Sequence, residues 1–234
     1  MNRPRRSRLL NQVSVIALVV ASTLAATQAL AQNSPNVIVP DGRTLTQTTN
    51  LGAVTEVTTG SVSGTHAFNS FSQFNVGAGG TVNLQLPAGA STLFNVVRDA
   101  PIQIDGVLNS YRSGQIGGRV FFADPYGMVV GAGGVINTGS LSVSTPTSEF
   151  LDRMIAPNGT IDAARVADLE AGNIPISASG SLVIHGRINA QSGVALQGRS
   201  VYLGKDQRLF SSAVNTDGLD DGAAVVTEAG DITI

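Results

Sequence analysis

Gly106-Val107-Leu108-Asn109 returns as Gly134-Val135-Ile136-Asn137 and again as Gly186-Arg187-Ile188-Asn189. The steps are 28 and 52 residues, close to one and two multiples of roughly 26, which is the signature of a chain laid on itself layer upon layer. Each copy sits among short alternating apolar runs broken by Gly, Asn or Ser. In such an arrangement one row of side chains fills a continuous core, the opposite row meets water, and turn residues reappear once per layer. The spacing predicts a single-stranded coil of roughly eight to ten rungs at about 4.8 Å each.

The surrounding residues extend this pattern in both directions. Residues 32–67 are rich in Thr, Val and Gly, with a turn at Pro40-Asp41-Gly42 and alternate apolar positions from Val54 to Val62. These are expected as first strands capping an end that would otherwise expose unpaired edges. Phe68, Phe71 and Phe74 crowd one short stretch and are expected to stack inside the first rung. Thr81-Val82-Asn83-Leu84-Gln85-Leu86 alternates cleanly before Pro87-Ala88-Gly89. Asp124-Pro125-Tyr126-Gly127 has type I turn chemistry: Asp to cap, Pro to pre-set φ, Gly to finish.

The rhythm breaks over residues 146–175. Ser148 to Ile155 reads as a short helical turn, and Asp162 to Ala171 carries a capping Asp before it and Gly172 after it. This stretch is expected to leave the coil, which resumes at Ser181-Leu182-Val183-Ile184. Gly230 to Ile234 begins another strand and stops, so the sequence is expected to be the front of a longer chain.

Composition narrows the class of protein. Arg3, Arg5, Arg6 and Arg8 precede an apolar run from Val13 to Leu24, and Ala29-Leu30-Ala31 gives a small-x-small site. Residues 1–31 therefore read as a signal peptide cleaved between Ala31 and Gln32; the run is short of the about 20 residues a permanent span needs. Without those four arginines, ten basic residues face 16 acidic ones, a balance that argues against nucleic acid as a partner. No cysteine occurs in the 234 residues, so packing alone must hold an exported chain together. His66 and His185 are too far apart for metal-ligand spacing, and no phosphate-binding glycine loop or nucleophile elbow occurs. Asp99, Asp105 and Asp124 stand at turn positions, and Arg98-Asp99 reads as a solvated corner. No cofactor or metal is expected.

From Phe68-Asn69-Ser70-Phe71-Ser72-Gln73-Phe74-Asn75-Val76 the chain resembles the two-partner secretion domain of filamentous-haemagglutinin-like exoproteins. The same order continues through Asn95-Val96-Val97, Gln103-Ile104-Asp105-Gly106, Val120 to Met128, and Gly139 to Thr145. Two Asn-Pro-Asn tetrapeptides of that family are altered here. Leu86-Pro87-Ala88-Gly89 keeps only the proline of the first, while Asp124-Pro125-Tyr126-Gly127 keeps the Pro and Gly of the second.

The resemblance implies an all-β, right-handed parallel β-helix of the pectin-lyase-like kind, with an N-terminal cap and a short, partly helical insertion. It implies residues 32–145 as the secretion domain and 176–234 as continuing coil. It implies a non-enzymatic secretion signal for a large adhesin or toxin, exported through the periplasm of a diderm bacterium and then secreted or held at the surface. The implied partner is an outer-membrane TpsB-type β-barrel transporter with periplasmic strand-adding domains; a host or neighbouring-cell surface is a further one. Asn69, Asn95, Asp124, Pro125 and Gly127 are the residues expected to shape recognition. The alternative is a secreted carbohydrate-active β-helix protein, which would need two or three carboxylates on one strand face.

Overall fold

A computed structural model describes residues 34–204 and 228–233. The expected signal segment and its Ala31–Gln32 cleavage point lie outside the described residues. Four short strands open the fold: β1 (Val37–Pro40), β2 (Thr46–Leu51), β3 (Val54–Thr59) and β4 (Val62–Ser63). The long β5 (His66–Val76) and β6 (Thr81–Gln85) follow, then β7 (Thr92–Val97), β8 (Ile102–Ile104) and β9 (Val107–Arg112). A two-residue β10 (Gln115–Ile116) folds back on β9. Next come β11 (Arg119–Ala123), β12 (Gly127–Val130), β13 (Val135–Thr138) and β14 (Ser140–Ser144). Two helices, α1 (Ser148–Met154) and α2 (Ala163–Glu170), precede β15 (Ser181–Ile184), β16 (Arg187–Ala190) and β17 (Val194–Leu203). The strand β18 (Glu228–Thr233) is last.

These strands form three parallel rows, each joining elements one repeat apart in the chain. The first row is β5–β7–β11–β14–β17, the second β5–β8–β12–β15–β17, and the third β3–β6–β9–β13–β16. The first two rows merge into one sheet because β5 and β17 each run through both. In the third row partners lie 26–28 residues apart up to the insertion, as in Val82 beside Leu108 and Leu108 beside Ile136, whereas the step from β11 to β14 is 21 residues and that from β15 to β17 is 19.

The register corrects two expectations. Ile136 pairs directly with Ile188, so the 52-residue step is one circuit lengthened by α1 and α2 and contains no hidden layer. The third row accordingly has five strands among the described residues, fewer than the eight to ten rungs expected. An earlier copy of the phrase, Gly80-Thr81-Val82-Asn83, also occupies its proper place in that row. Its leading glycine has a packing cause: at Gly106, Gly134 and Gly186 a Cβ would collide with carbonyl oxygens of the layer beneath.

The ends of the stack are antiparallel. β1 lies against β5, β2 pairs with β3, and β18 runs antiparallel along β17 rather than starting a further parallel layer.

Side-chain alternation explains where the core sits. In β6, Val82 and Leu84 are buried while Thr81, Asn83 and Gln85 are half-exposed. In β7 all six residues are buried, as expected where both faces of a strand are covered. Its inner face joins the main core with Phe71, Phe74 and Phe122. Its outer face joins a second cluster built with Phe150, Leu151, Met154, Val166 and Leu169 of the two helices. Phe68 therefore departs from expectation: Phe71 and Phe74 pack inside, edge to face at 5.1 Å, whereas Phe68 points outward. There it stacks on Phe94 at 5.2 Å, which stacks on Phe121 at 4.8 Å. The helices are started by side-chain caps. Thr147 Oγ1 accepts from the Phe150 N–H, and Asp162 accepts from Ala164 and Arg165.

Candidate recognition region

The corner between β11 and β12 holds three of the expected site residues. Asp124, Pro125 and Gly127 are buried, and only Tyr126 is exposed, at 43%. Asp124 closes the corner through its side chain, Oδ1 accepting the Tyr126 N–H at 2.8 Å, in the manner of an Asx turn. Gly127 has φ +105°, and a Cβ there would fall on the Ser181 carbonyl of the next layer. The corner is thus tight for backbone reasons, and the type I expectation gives way to a side-chain-closed bend.

Asp124 is 1% exposed and its Oδ2 has no hydrogen-bond partner. Burial pushes its carboxyl up to about 8 from an ordinary value of 3.8, against the opposing pull of backbone N–H groups at Tyr126, Gly127 and Ile102. The folded protein therefore keeps a proton that the unfolded chain releases between those two values. Its contribution to stability is full below about pH 4 and falls as pH rises towards about 8. Asp124→Asn keeps the Oδ1 acceptor and removes the charge. The expected result is a wild-type denaturation midpoint that drops between pH 5 and pH 9, by on the order of a few kcal/mol, and a variant that shows little of that drop. Parallel curves for the two proteins would contradict the assignment.

Asn69 and Asn95 are each 1% exposed and form an internal pair. The Asn69 Nδ2 donates to Asn95 Oδ1 at 3.0 Å, and Asn95 Nδ2 donates to the Phe121 carbonyl at 3.2 Å. The Thr46 hydroxyl closes the other end by donating to Asn69 Oδ1. These side chains tie the cap to successive layers from within.

Arg98, read from sequence as part of a solvated corner, is instead 9% exposed at its side chain. Its Nε meets Asp41 at 3.0 Å and its Nη1 meets Asp152 at 3.1 Å, while Nη2 reaches the Leu151 and Ile155 carbonyls. Arg43 joins from the cap loop, 2.7 Å from Asp152. Burial and the neighbouring Arg43 pull the Arg98 guanidinium below its ordinary value; Asp41 and Asp152 pull the other way. The group fastens the cap loop and the end of α1 to the same strand. A second tie comes from Glu170 of α2, 3.6 Å from His66 and 3.4 Å from Arg119. Beside the Arg98 group a cleft of about 230 Å³ opens between Tyr126, Pro125, Ser148 and Asp152. Sequence reading missed Arg98 and Tyr126. The available signal was an arginine ending the apolar run Leu93 to Val97 in a chain with few charges, and an aromatic inside a turn.

Among the described residues no three His, Asp or Glu side chains gather in a way that could hold a metal ion. The assembled features are positioning devices: tight corners, internal amide pairs, and charged ties between cap, strands and helices.

The family model of the TPS secretion domain matches residues 36–234. The chain belongs to that family, and it is the secretion domain of a two-partner-secretion exoprotein, a class that passes the periplasm and the outer membrane. Among solved structures, the HMW1 secretion domain from Haemophilus influenzae is similar at 20% identity and a TM-score of 0.47. That similarity covers 72% of this chain and 40% of the other, so this chain spans less than half the length of that relative. No curated protein matches the chain.

Proposed function

We propose that this domain is the address by which a cognate outer-membrane β-barrel transporter of the TpsB type selects a large adhesin or toxin, acting by protein recognition without catalysis. The observation that carries the reading is the family match running through residues 36–234. Residues 1–31 serve as the signal peptide, and the secretion domain takes in the cap and first layers over 32–145, the insertion over 146–175 and the coil that resumes from 176 through β17. The in-register parallel third row, at 26–28 residue steps up to the insertion, supports winding as a parallel β-helix. The strong preference of parallel crossovers for one hand makes that helix right-handed.

In the periplasm the unfolded chain adds strands to domains of the transporter. Outside the cell, layers then form on the cap and bias movement outward. Asp124, Pro125 and Gly127 act by holding the corner that presents Tyr126 beside the cleft, and Asn69 and Asn95 by fixing the layers behind it. A host or neighbouring-cell surface meets the cargo that follows.

Export in a diderm host tests this directly. The chain is expected in the medium only when the cognate transporter is co-expressed, and appearance outside without it would defeat the reading. Tyr126→Ala is expected to keep the denaturation midpoint and lower export several-fold; unchanged export would remove the corner from the contact.

A further inference from the structure

The outer face of the third row carries a chain of amides that ends on a carboxylate. Asn189 Nδ2 donates to Asn137 Oδ1 at 2.8 Å, Asn137 to Asn109 at 2.8 Å, and Asn109 to Asn83 at 3.0 Å. Asn83 donates to Glu56 Oε1 at 2.6 Å, and Gln85 donates to the other oxygen, Oε2, at 2.8 Å. Glu56 belongs to β3, the first strand of this row, while the asparagines come from β6, β9, β13 and β16.

An amide can face either way, but an ionised carboxylate only accepts. Glu56 therefore obliges Asn83 to turn its NH2 towards the cap. Asn83 Oδ1 must then face outward to the next layer, and the constraint passes along the row. Reversing every amide would set Asn83 Oδ1 against Glu56 Oε1, two acceptors at hydrogen-bond distance. The inner Asn69–Asn95 pair offers the contrast. It runs the opposite way, since the Phe121 carbonyl accepts at its far end and the Thr46 hydroxyl donates at its near end.

We propose that Glu56 is the positioning residue that sets the direction of the whole outer amide ladder, so that each finished layer offers an acceptor already aimed at the donor of the next. Chains of hydrogen bonds polarise one another in the same sense, which strengthens the propagation. The consequence is a built-in order of assembly: layers nearer Glu56 become templates for layers further along. This deepens the reading of a coil that forms outward from its cap. It is tested without a transporter, so its failure would leave the secretion reading standing.

The experiment follows side-chain amide hydrogen exchange at Asn83, Asn109, Asn137 and Asn189 by NMR in the refolded full chain. Glu56→Gln both donates and accepts, making the two directions available. Protection should fall by about fivefold to tenfold, the size of one net hydrogen bond, at all four asparagines, including Asn189 four layers away. A purely local contact would lose protection at Asn83 alone, and that result would overturn the proposal. Asn109→Asp placed in the Glu56→Gln background supplies a new acceptor-only group mid-ladder. It should restore protection at Asn137 and Asn189 and reverse Asn83, whose NH2 then donates to the new carboxylate while its oxygen accepts from the amide now at position 56. Should Glu56→Gln fail to fold, the double variant is expected to recover folding; no recovery, or no distal restoration, counts against Glu56 as the source of direction.

Discussion

Gly127→Ala should destabilise the chain by at least about 4 kcal/mol, the range reached only by the severest single substitutions, and leave little folded protein. Two causes add. The residue has φ +105°, which L side chains rarely adopt, and its Cα lies so close to β15 that an added Cβ would strike the Ser181 carbonyl. Backbone on both sides leaves no flexible side chain to yield. Gly89→Ala separates the causes: Gly89 has φ +84° but open space around it, so only conformational strain of about 1–2 kcal/mol is expected there. Denaturation midpoints of both variants provide the check. Equal losses would show that the approach of β15 contributes nothing.

Phe94→Ala is expected to cost about 3–5 kcal/mol, as for other buried aromatic truncations, and to release the two helices before the rest of the fold. Phe94 is fully buried between Phe68 and Phe121 on the outside of the first row. The helical residues Phe150, Leu151, Met154, Val166 and Leu169 close over that cluster. Removing its centre should make the loop between α1 and α2 sensitive to protease in conditions where the main core stays folded, a local opening of the kind hydrogen exchange also detects. Phe122→Ala is the matched comparison. Although adjacent to Phe121 in sequence, Phe122 faces the opposite way, into the main core with Phe74 at 5.3 Å, and its loss should unfold both regions together. Identical cleavage patterns in the two variants would deny that the outer cluster is a separate unit.

Much of the plan was legible in the chain. The recurring Gly-x-apolar-Asn phrase marks a real structural position: a glycine where the layer below presses close, an inward aliphatic, and an outward amide that bonds its counterpart one layer away. The capping chemistry of Asp162 and Gly172 was equally visible, because those signals act over a few residues. Other features were concealed for definite reasons. The 52-residue step imitates two repeats only because the insertion is about as long as one circuit. Phe68 looks like Phe71 and Phe74 in sequence, yet its place outside the coil depends on helices about 80 residues further on. Arg98 beside Asp99 suggests a local pair, while its partners Asp41 and Asp152 come from distant parts of the chain.

By itself the sequence determined the periodic alternation, the turn positions, the excursion with its capped helices, and the family to which the chain belongs. These are properties of short stretches or of their order. The tertiary structure alone decided which strands pair, how many layers the described residues form, and which aromatics lie outside. It also decided that Asp124 is buried with one oxygen unpaired and that the outer amides end on Glu56. Each of those depends on groups far apart in the chain meeting at van der Waals or hydrogen-bond distance, and no local pattern of residues specifies such a meeting.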